Sequence, residues 1–443
     1  MSADRSSRPL RAAERRVLLV LGLPTLTMAF SSTVVSTYLP VVARRFTASE
    51  IAIGLILAGE GLTALVVPLL AGTWSDALRA RGGSRLTFML AGMPVAVCAL
   101  APLGLVHALP AMGALVATFF AGNFFSYEPY RALYPDLLAN EVVGRAQGTQ
   151  AVWRGCGTIL ALAGGGVMLS AWSGLPFVAG AALEAAGAAT LATLLPRVSE
   201  SSRGHRLWPA RAQLRRDTRD VLAKAHELLR EHGELRLYLL ANVLWELSLG
   251  ALKTFIVLYV TKGLGRSLSA ASLIIGAVAV VILTGAVASG RLGDRYGEIR
   301  VMRWGLWLYG CALAVLIFTR AEAALIAAAP VVAFGGGLTM TLPYAILVPL
   351  MPDDSHGMLT GFYSLSRGLG VMLGPLLAGV AIELLRGPFA STHGYGAMWI
   401  VSAGAILASI PVLTQLGSQL RGRGGAGRAQ RRPRTRADER PAR

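Results

Sequence analysis

Eight side chains able to carry charge or donate hydrogen bonds stand inside long apolar runs of this sequence: Glu60, Glu128, Arg131, Arg154, Glu246, Lys253, Tyr344 and Arg367. An ionisable group inside a hydrocarbon-facing segment is costly unless it is paired or lines a polar path, so such groups mark solute or ion pathways by default. Glu128 and Arg131 are one helical turn apart on one face. Glu128 lies ten residues before the end of its run and Arg154 seven after the start of the next. At a rise of about 1.5 Å per residue they sit roughly 15 and 10 Å from the same edge and are able to pair. A carboxylate that moves between an apolar wall and a guanidinium changes its proton affinity, which is how a carboxyl becomes a proton carrier. A static pair bracing two helices is the competing reading.

Glu60, near the middle of the second run, is an alternative proton carrier. Glu246 and Lys253 share a face seven residues apart, too far for a direct pair, so each needs another partner. Arg367 is suited to reading an anionic or polyhydroxy solute, or to a gate. Trp74, Trp153, Trp245, Tyr130 and Tyr344 are candidates for stacking on sugar rings, although interface anchoring is the commoner role of aromatics. Glu184 reads as packed against a neighbour and Glu383 as solvated near the outer edge. Gly164, Gly165 and Gly166 allow two helices to approach closely.

The elements that must position these residues are transmembrane helices. Hydrophobic residues make up 54% of the 443 positions and charged ones only 15%, with a mean hydropathy of +0.56. That is the composition of a polytopic membrane protein rather than a soluble enzyme. Apolar runs predict twelve spans, over 17–42, 51–71, 86–108, 110–138, 147–171, 174–195, 235–260, 268–290, 301–319, 321–351, 358–385 and 395–416. The organisation is then a tail (1–16), a six-helix bundle (17–195), a linker (196–234), a second bundle (235–416) and a basic tail expected to be disordered (417–443). The first run has no Ala-x-Ala cleavage site and reads as a span rather than a signal peptide. Within the linker, residues 211–230 have the pattern of an amphipathic helix lying on the membrane surface.

The net charge of +18 points to the membrane rather than to nucleic acid. Lys and Arg concentrate in the tails, the linker and alternate loops, which sets both termini in the cytoplasm by the positive-inside rule and locates the protein in the cytoplasmic membrane. Cys98, Cys156 and Cys311 lie in apolar runs and are expected as free thiols. No metal site or cofactor is expected. The lipid bilayer and a small solute are the expected partners of a monomer.

The chain repeats itself. Pro129, Tyr130, Leu133 and Pro135 recur as Pro343, Tyr344, Leu347 and Pro349, and Arg154, Gly155 and Gly157 recur as Arg367, Gly368 and Gly370. Two related halves with a solute site between them is the organisation of a secondary transporter.

A loop motif also occurs once per half: Gly72, Asp76, Arg81 and Arg85 after the second span, and Gly290, Asp294, Arg295, Gly297 and Arg300 after the eighth. On this pair the chain resembles the major facilitator superfamily, which implies twelve helices in two pseudo-symmetric bundles and a role for these loops in gating. Pro129-Tyr-Arg131-Ala-Leu-Tyr-Pro-Asp136 and Pro68-Leu-Leu-Ala-Gly72-Thr-Trp-Ser75-Asp76 are similar to segments of the sucrose-proton symporters, within the glycoside-pentoside-hexuronide cation symporters. The resemblance implies that Arg131 and Arg154 match arginines used for sugar transport in that group. Where melibiose permease carries two aspartates for its coupling ion, this chain has Thr63 and Val67, so a proton rather than sodium is the expected coupling ion.

The expected function is therefore proton-coupled symport of a sugar or glycoside-like solute. A proton-driven exporter of drugs or metabolites is the alternative. Many exporters carry a Gly-Pro element in the fifth span, where this chain has none; its Gly370, Gly374 and Pro375 lie in the eleventh. A membrane sensor that binds without transporting is a further alternative. No polar segment holds a nucleophile, metal cluster or phosphate loop that would suit an enzyme.

Overall fold

The structure, a computed structural model, describes residues 11–138, 140–195, 230, 232–319, 322–347, 350 and 356–430. Twelve long helices account for nearly all of these: α1 Ala12–Ala43, α2 Glu50–Arg79, α3 Leu86–Leu100, α4 Leu109–Leu137, α5 Asn140–Ala171, α6 Leu175–Thr193, α7 Gly233–Leu258, α8 Leu268–Tyr296, α9 Glu298–Phe318, α10 Glu322–Leu347, α11 His356–Leu384 and α12 Met398–Gln430. Eleven are long and apolar enough to cross a membrane. Helices suit the bilayer because each satisfies its own backbone hydrogen bonds. Their starts are chemically marked: Ser49 and Ser267 cap α2 and α8 by accepting from Ala52 N and Ala270 N, as N-cap serines do.

Several ends differ from the hydropathy boundaries. The helices α2, α5 and α8 run past their apolar runs at one end, to Arg79, from Asn140 and to Tyr296. Hydropathy marks where hydrocarbon stops, whereas the backbone ladder continues into water. The third span ends early, at Leu100, and Ala101 to Leu105 form tight turns through Leu103 N to Leu100 O and Leu105 N to Pro102 O; Pro102 lacks the amide that would extend the helix. The final helix continues to Gln430, well into the segment expected to be disordered, since no proline stops it after Pro411 and Gly417 packs against Ile299. Residues 431–443 and the proposed surface helix of the linker lie outside the described residues.

The two halves pack alike. In the first, α1 packs on α5 and α6, α4 on α2 and α3, and α3 on α6. In the second, α7 packs on α11 and α12, α10 on α8 and α9, and α9 on α12. Adding six to each helix number maps one set of contacts onto the other. The halves meet through α2 with α11, its counterpart α8 with α5, and α1 with α7.

These contacts between halves gather at one end, where α2 and α8 begin. A Cβ on Gly54 would lie 2.5 Å from the Pro375 carbonyl oxygen, and one on Gly379 2.6 Å from that of Glu50. The α5/α8 seam is equally close: a Cβ on Gly166 would lie 2.7 Å from the Leu268 carbonyl oxygen, and Gly166 N donates to Ser272 Oγ at 2.8 Å. Lipid chains are as apolar as leucine, so helices in a membrane associate through close packing of small residues rather than through the hydrophobic effect. Of the three glycines expected to allow close approach, Gly166 meets the other half, Gly165 faces Tyr38 of α1 within its own half, and Gly164 meets only Met168 of its own helix. We call the end where the contacts between halves gather the closed end; the two Gly/Asp/Arg loops lie at the other.

Candidate functional site

The charges expected to form a pathway come together where the halves meet. Lys253 of α7 donates to Glu60 of α2, Nζ to Oε1 at 3.1 Å and to Oε2 at 3.4 Å, and Ser36 of α1 donates to Glu60 Oε2 at 2.8 Å. The pair joins one half to the other. Next to it, Arg367 Nε of α11 lies 3.5 Å from Glu246 Oε1 of α7. Glu246 and Lys253, too far apart in their helix to pair, thus each find a partner on another helix. Arg131 Nη1 is 3.9 Å from Glu128 Oε2 on α4, and its guanidinium lies 5.8 Å from the centre of the Tyr127 ring.

Exposure shows where water enters. The Glu60 side chain is 8% exposed and those of Arg131 and Arg367 27% and 41%. Tyr344 is 39% exposed, with its ring centre 5.9 Å from that of Tyr363. Glu60 therefore forms the floor of a cavity that opens away from the closed end. Arg154 of α5 is also exposed. It does not pair with Glu128, which lies 3.9 Å from Arg131 instead. The reason is reach: Glu128 and Arg131 share a helix face one turn apart, and Arg154 approaches α4 from another helix.

Two of the aromatic candidates do not line the cavity. Tyr130 is fully buried, hydrogen-bonded to Thr25 Oγ1 at 2.5 Å and to the Leu21 carbonyl oxygen. Trp245 is fully buried and donates from Nε1 to Ser409 Oγ at 2.9 Å. Trp153 lies against Gly22 of α1. Glu184, expected to pack against a neighbour, has no exposed surface.

The closed end holds a polar network that the sequence did not reveal. Glu383, expected to be solvated, accepts from Ser49 Oγ at 2.7 Å and Ile51 N at 3.0 Å. A residue of α11 thus supplies part of the N-terminal cap of α2 in the other half, where a negative charge also suits the helix dipole. Beside it Glu50 Oε1 pairs with Arg44 Nε at 2.8 Å and accepts from the Tyr395 hydroxyl at 2.6 Å. Partners more than three hundred residues away in the chain leave no local pattern in the sequence. Replacing Glu383 by Ala is expected to remove about 1 kcal/mol from closure, raising the population open at this end about fivefold. Thiol labelling of a cysteine placed in the α2/α11 seam measures this, and an unchanged rate would show that the cap does not hold the halves together.

The loop motifs behave differently in the two halves. Arg85 Nη1 binds Asp76 Oδ1 at 2.5 Å and Ser75 Oγ at 2.8 Å, and its Nε binds Asp136 Oδ2 at 2.8 Å, with Arg79 Nε 3.3 Å from the same oxygen. This ties the α2–α3 turn to the end of α4. Gly72 lies within α2 facing open space, and Arg81 is exposed in the turn. In the second half Leu350 stands where the repeat carries Asp136. There Gly297, with φ of +86°, makes the sharp joint between α8 and α9, a backbone geometry suited to glycine. Gly290 and Asp294 lie at the end of α8, and Arg295 stacks 5.2 Å from the Tyr296 ring centre. Arg300 lines a groove of about 360 Å³ against α12.

Known proteins resemble the chain at two levels. Residues 238–436 match the sequence pattern of the Major Facilitator Superfamily. A 106-residue stretch is 30% identical to Multidrug resistance protein 3 of Bacillus subtilis (strain 168), spanning 24% of this chain and 20% of that relative. The fold is shared over nearly the whole length. A bacterial homolog of the human lysosomal transporter Spinster, in an inward-facing and unoccupied conformation, superposes with a TM-score of 0.70 at 14% identity, covering 93% of this chain and 96% of that one. The nucleoside transporter NupG gives 0.68 at 15% identity, covering 90% and 98%. A D-xylose-proton symporter gives 0.68 at 15% identity, covering 89% and 97%. The C-terminal half thus carries the sequence pattern of the Major Facilitator Superfamily, and the chain as a whole shares the fold of these solved transporters.

Proposed function

We propose that the protein couples proton movement to transport of a small polyhydroxy solute by alternating access, with Glu60 as the proton carrier. The observation that carries this is the ion pair from Glu60 to Lys253, which spans the two halves at the floor of the cavity. Protonating Glu60 removes its charge and with it the attraction to Lys253, so the proton and the contact between halves are one equilibrium. In the conformation described here Glu60 faces a cavity open at the loop end, where it releases its proton. Opening of the other end would expose it to the opposite side of the membrane. The basic loops favour the loop end as cytoplasmic, which makes this an inward-facing conformation like that of the Spinster homolog. Glu128, Arg131, Arg154, Glu246, Tyr344 and Arg367 form the solute-facing wall, and the two loops act as gates.

The stretch related to a multidrug resistance protein supports a second reading, proton-driven export. The test is proton movement in proteoliposomes on adding glucose, sucrose, glucuronate or tetraphenylphosphonium. Acidification driven by a polyhydroxy solute is expected. Proton movement driven by tetraphenylphosphonium alone, in the opposite sense, would make the protein an exporter of lipophilic cations. Binding of a solute with no flux would make it a sensor.

A further inference from the structure

The charges lining the cavity do not cancel. Four cations, Arg131, Arg154, Lys253 and Arg367, face three carboxylates, Glu60, Glu128 and Glu246. Each carboxylate has a cationic partner, at 3.1 Å for Glu60, 3.5 Å for Glu246 and 3.9 Å for Glu128. Arg154 is exposed and has no ion pair among the described residues. A guanidinium at this depth in a membrane protein is costly without a counter-charge.

Arg154 and Arg367 hold equivalent places in the repeat, each beside a glycine that faces the other half, Gly155 toward Leu283 and Gly368 toward Leu65. The Arg131 guanidinium lies over the Tyr127 ring. Arg131 and Arg154 belong to one half and Arg367 to the other. Closing the open end would press Arg367 toward Arg131 and Arg154 against their mutual repulsion. An anion between them removes that repulsion and favours closure.

We propose that the solute carries a single negative charge, a carboxylate held by Arg154 and Arg131 beside Tyr127, with Arg367 completing the site from the other half. This rests on the transport reading above and names the charge of its solute. The cations exceed the carboxylates by one with Glu60 ionised and by two once it carries the coupled proton: a monocarboxylate offsets the charge of Arg154, a neutral sugar leaves Arg154 uncompensated, and a lipophilic cation adds to the repulsion. The planar guanidinium fork also matches a carboxylate in geometry.

The test titrates the purified full-length protein with gluconate, glucuronate and lactate, and with glucose and tetraphenylphosphonium, following thermal unfolding and, in parallel, proton movement in proteoliposomes. At least one monocarboxylate is expected to raise Tm where glucose does not. Arg154→Gln is expected to weaken its apparent affinity about tenfold or more, and Arg154→Lys, which keeps the charge but not the fork, to recover part of it. The lysine variant also separates loss of the site from loss of folding. Absence of any monocarboxylate response, or a response unchanged in Arg154→Gln, overturns the inference. Glucose-driven flux indifferent to Arg154→Gln would overturn it while leaving the transport reading intact. Binding of a monocarboxylate that depends on Arg154 but drives no flux would uphold the inference and remove the transport reading.

Discussion

Glu60→Gln is expected to reduce solute-driven proton movement to about one hundredth of the native rate or less, as loss of a positioned proton-transfer group does. Glutamine is nearly isosteric and keeps an acceptor for the Ser36 hydroxyl, which donates to Glu60 Oε2 at 2.8 Å, so the packing of α1 on α2 survives. What is lost is the group that titrates. Stability sets a limit on this reading, because removing one partner of a buried pair costs about 3–5 kcal/mol. Lys253, however, is 36% exposed, and water at the cavity screens it, bringing the cost toward the roughly 1 kcal/mol of exposed pairs. The variant is therefore expected to fold with a modest fall in Tm. Exchange of labelled solute across the membrane without net proton flow is expected to persist, because it needs only the conformational change. Proton coupling at the native rate in Glu60→Gln would remove Glu60 as carrier and move the role to Glu128.

Gly61→Ala is expected to hold the halves apart at the closed end and to lower transport about tenfold or more. The added Cβ would lie 2.5 Å from the Gly368 carbonyl oxygen and against the Met372 amide nitrogen. Both neighbours are backbone, part of rigid helix α11, and have no rotamer with which to yield. A contact about 1 Å inside van der Waals separation is relieved only by moving the helices apart. Alanine disturbs the opposite conformation, with α2 and α11 separated, far less, so the substitution shifts a population rather than unfolding the chain. Gly72→Ala, on the same helix with open space around its Cβ position, is the control and is expected to be silent. The readout is labelling by an impermeant maleimide of a cysteine at Ala64, which packs against Gly368, with Cys98, Cys156 and Cys311 replaced because all three are exposed thiols. Labelling from the closed side should rise in Gly61→Ala and not in Gly72→Ala. Equal labelling in both would mean that this seam does not set the conformation.

The two results report on different parts of one cycle. In the proposed cycle, Glu60 and Lys253 make the contact between halves depend on a proton, and Gly61 and Gly368 make it depend on the closeness of two backbones. The Glu383 cap on α2 and the Glu50–Tyr395 bond add polar contacts at the rim. Closure is thus built from small terms whose sum a proton and a solute are able to shift, which alternating access requires.

Much of the architecture was readable in one dimension. Hydropathy located the twelve helices, because each must be apolar for about the thickness of a bilayer, and it failed mainly at their ends, as at Leu100 and Gln430. The repeat of Pro129 and Tyr130 in Pro343 and Tyr344 announced two halves. The residues of the cavity were likewise visible, since Glu60, Arg131, Arg154, Glu246, Lys253 and Arg367 stand out as charges in apolar runs. Their partners were less so. Glu128 and Arg131 were legible as neighbours because a helix brings residues three apart together, whereas Tyr130 and Trp245 looked like cavity aromatics and are core.

Sequence by itself determined which helices exist, that they repeat, and which of them carry charge, because composition and periodicity are properties of neighbouring residues. Only the tertiary structure decided which charges meet: Lys253 with Glu60 across 193 positions, Glu383 with the start of α2 across 332, and Arg154 with no carboxylate among the described residues. An ion pair depends on a few ångströms between atoms on separate helices, and that distance is set by how close Gly54 and Gly61 let α2 come to α11 and Gly370 lets α11 come to α7, a quantity no local pattern encodes.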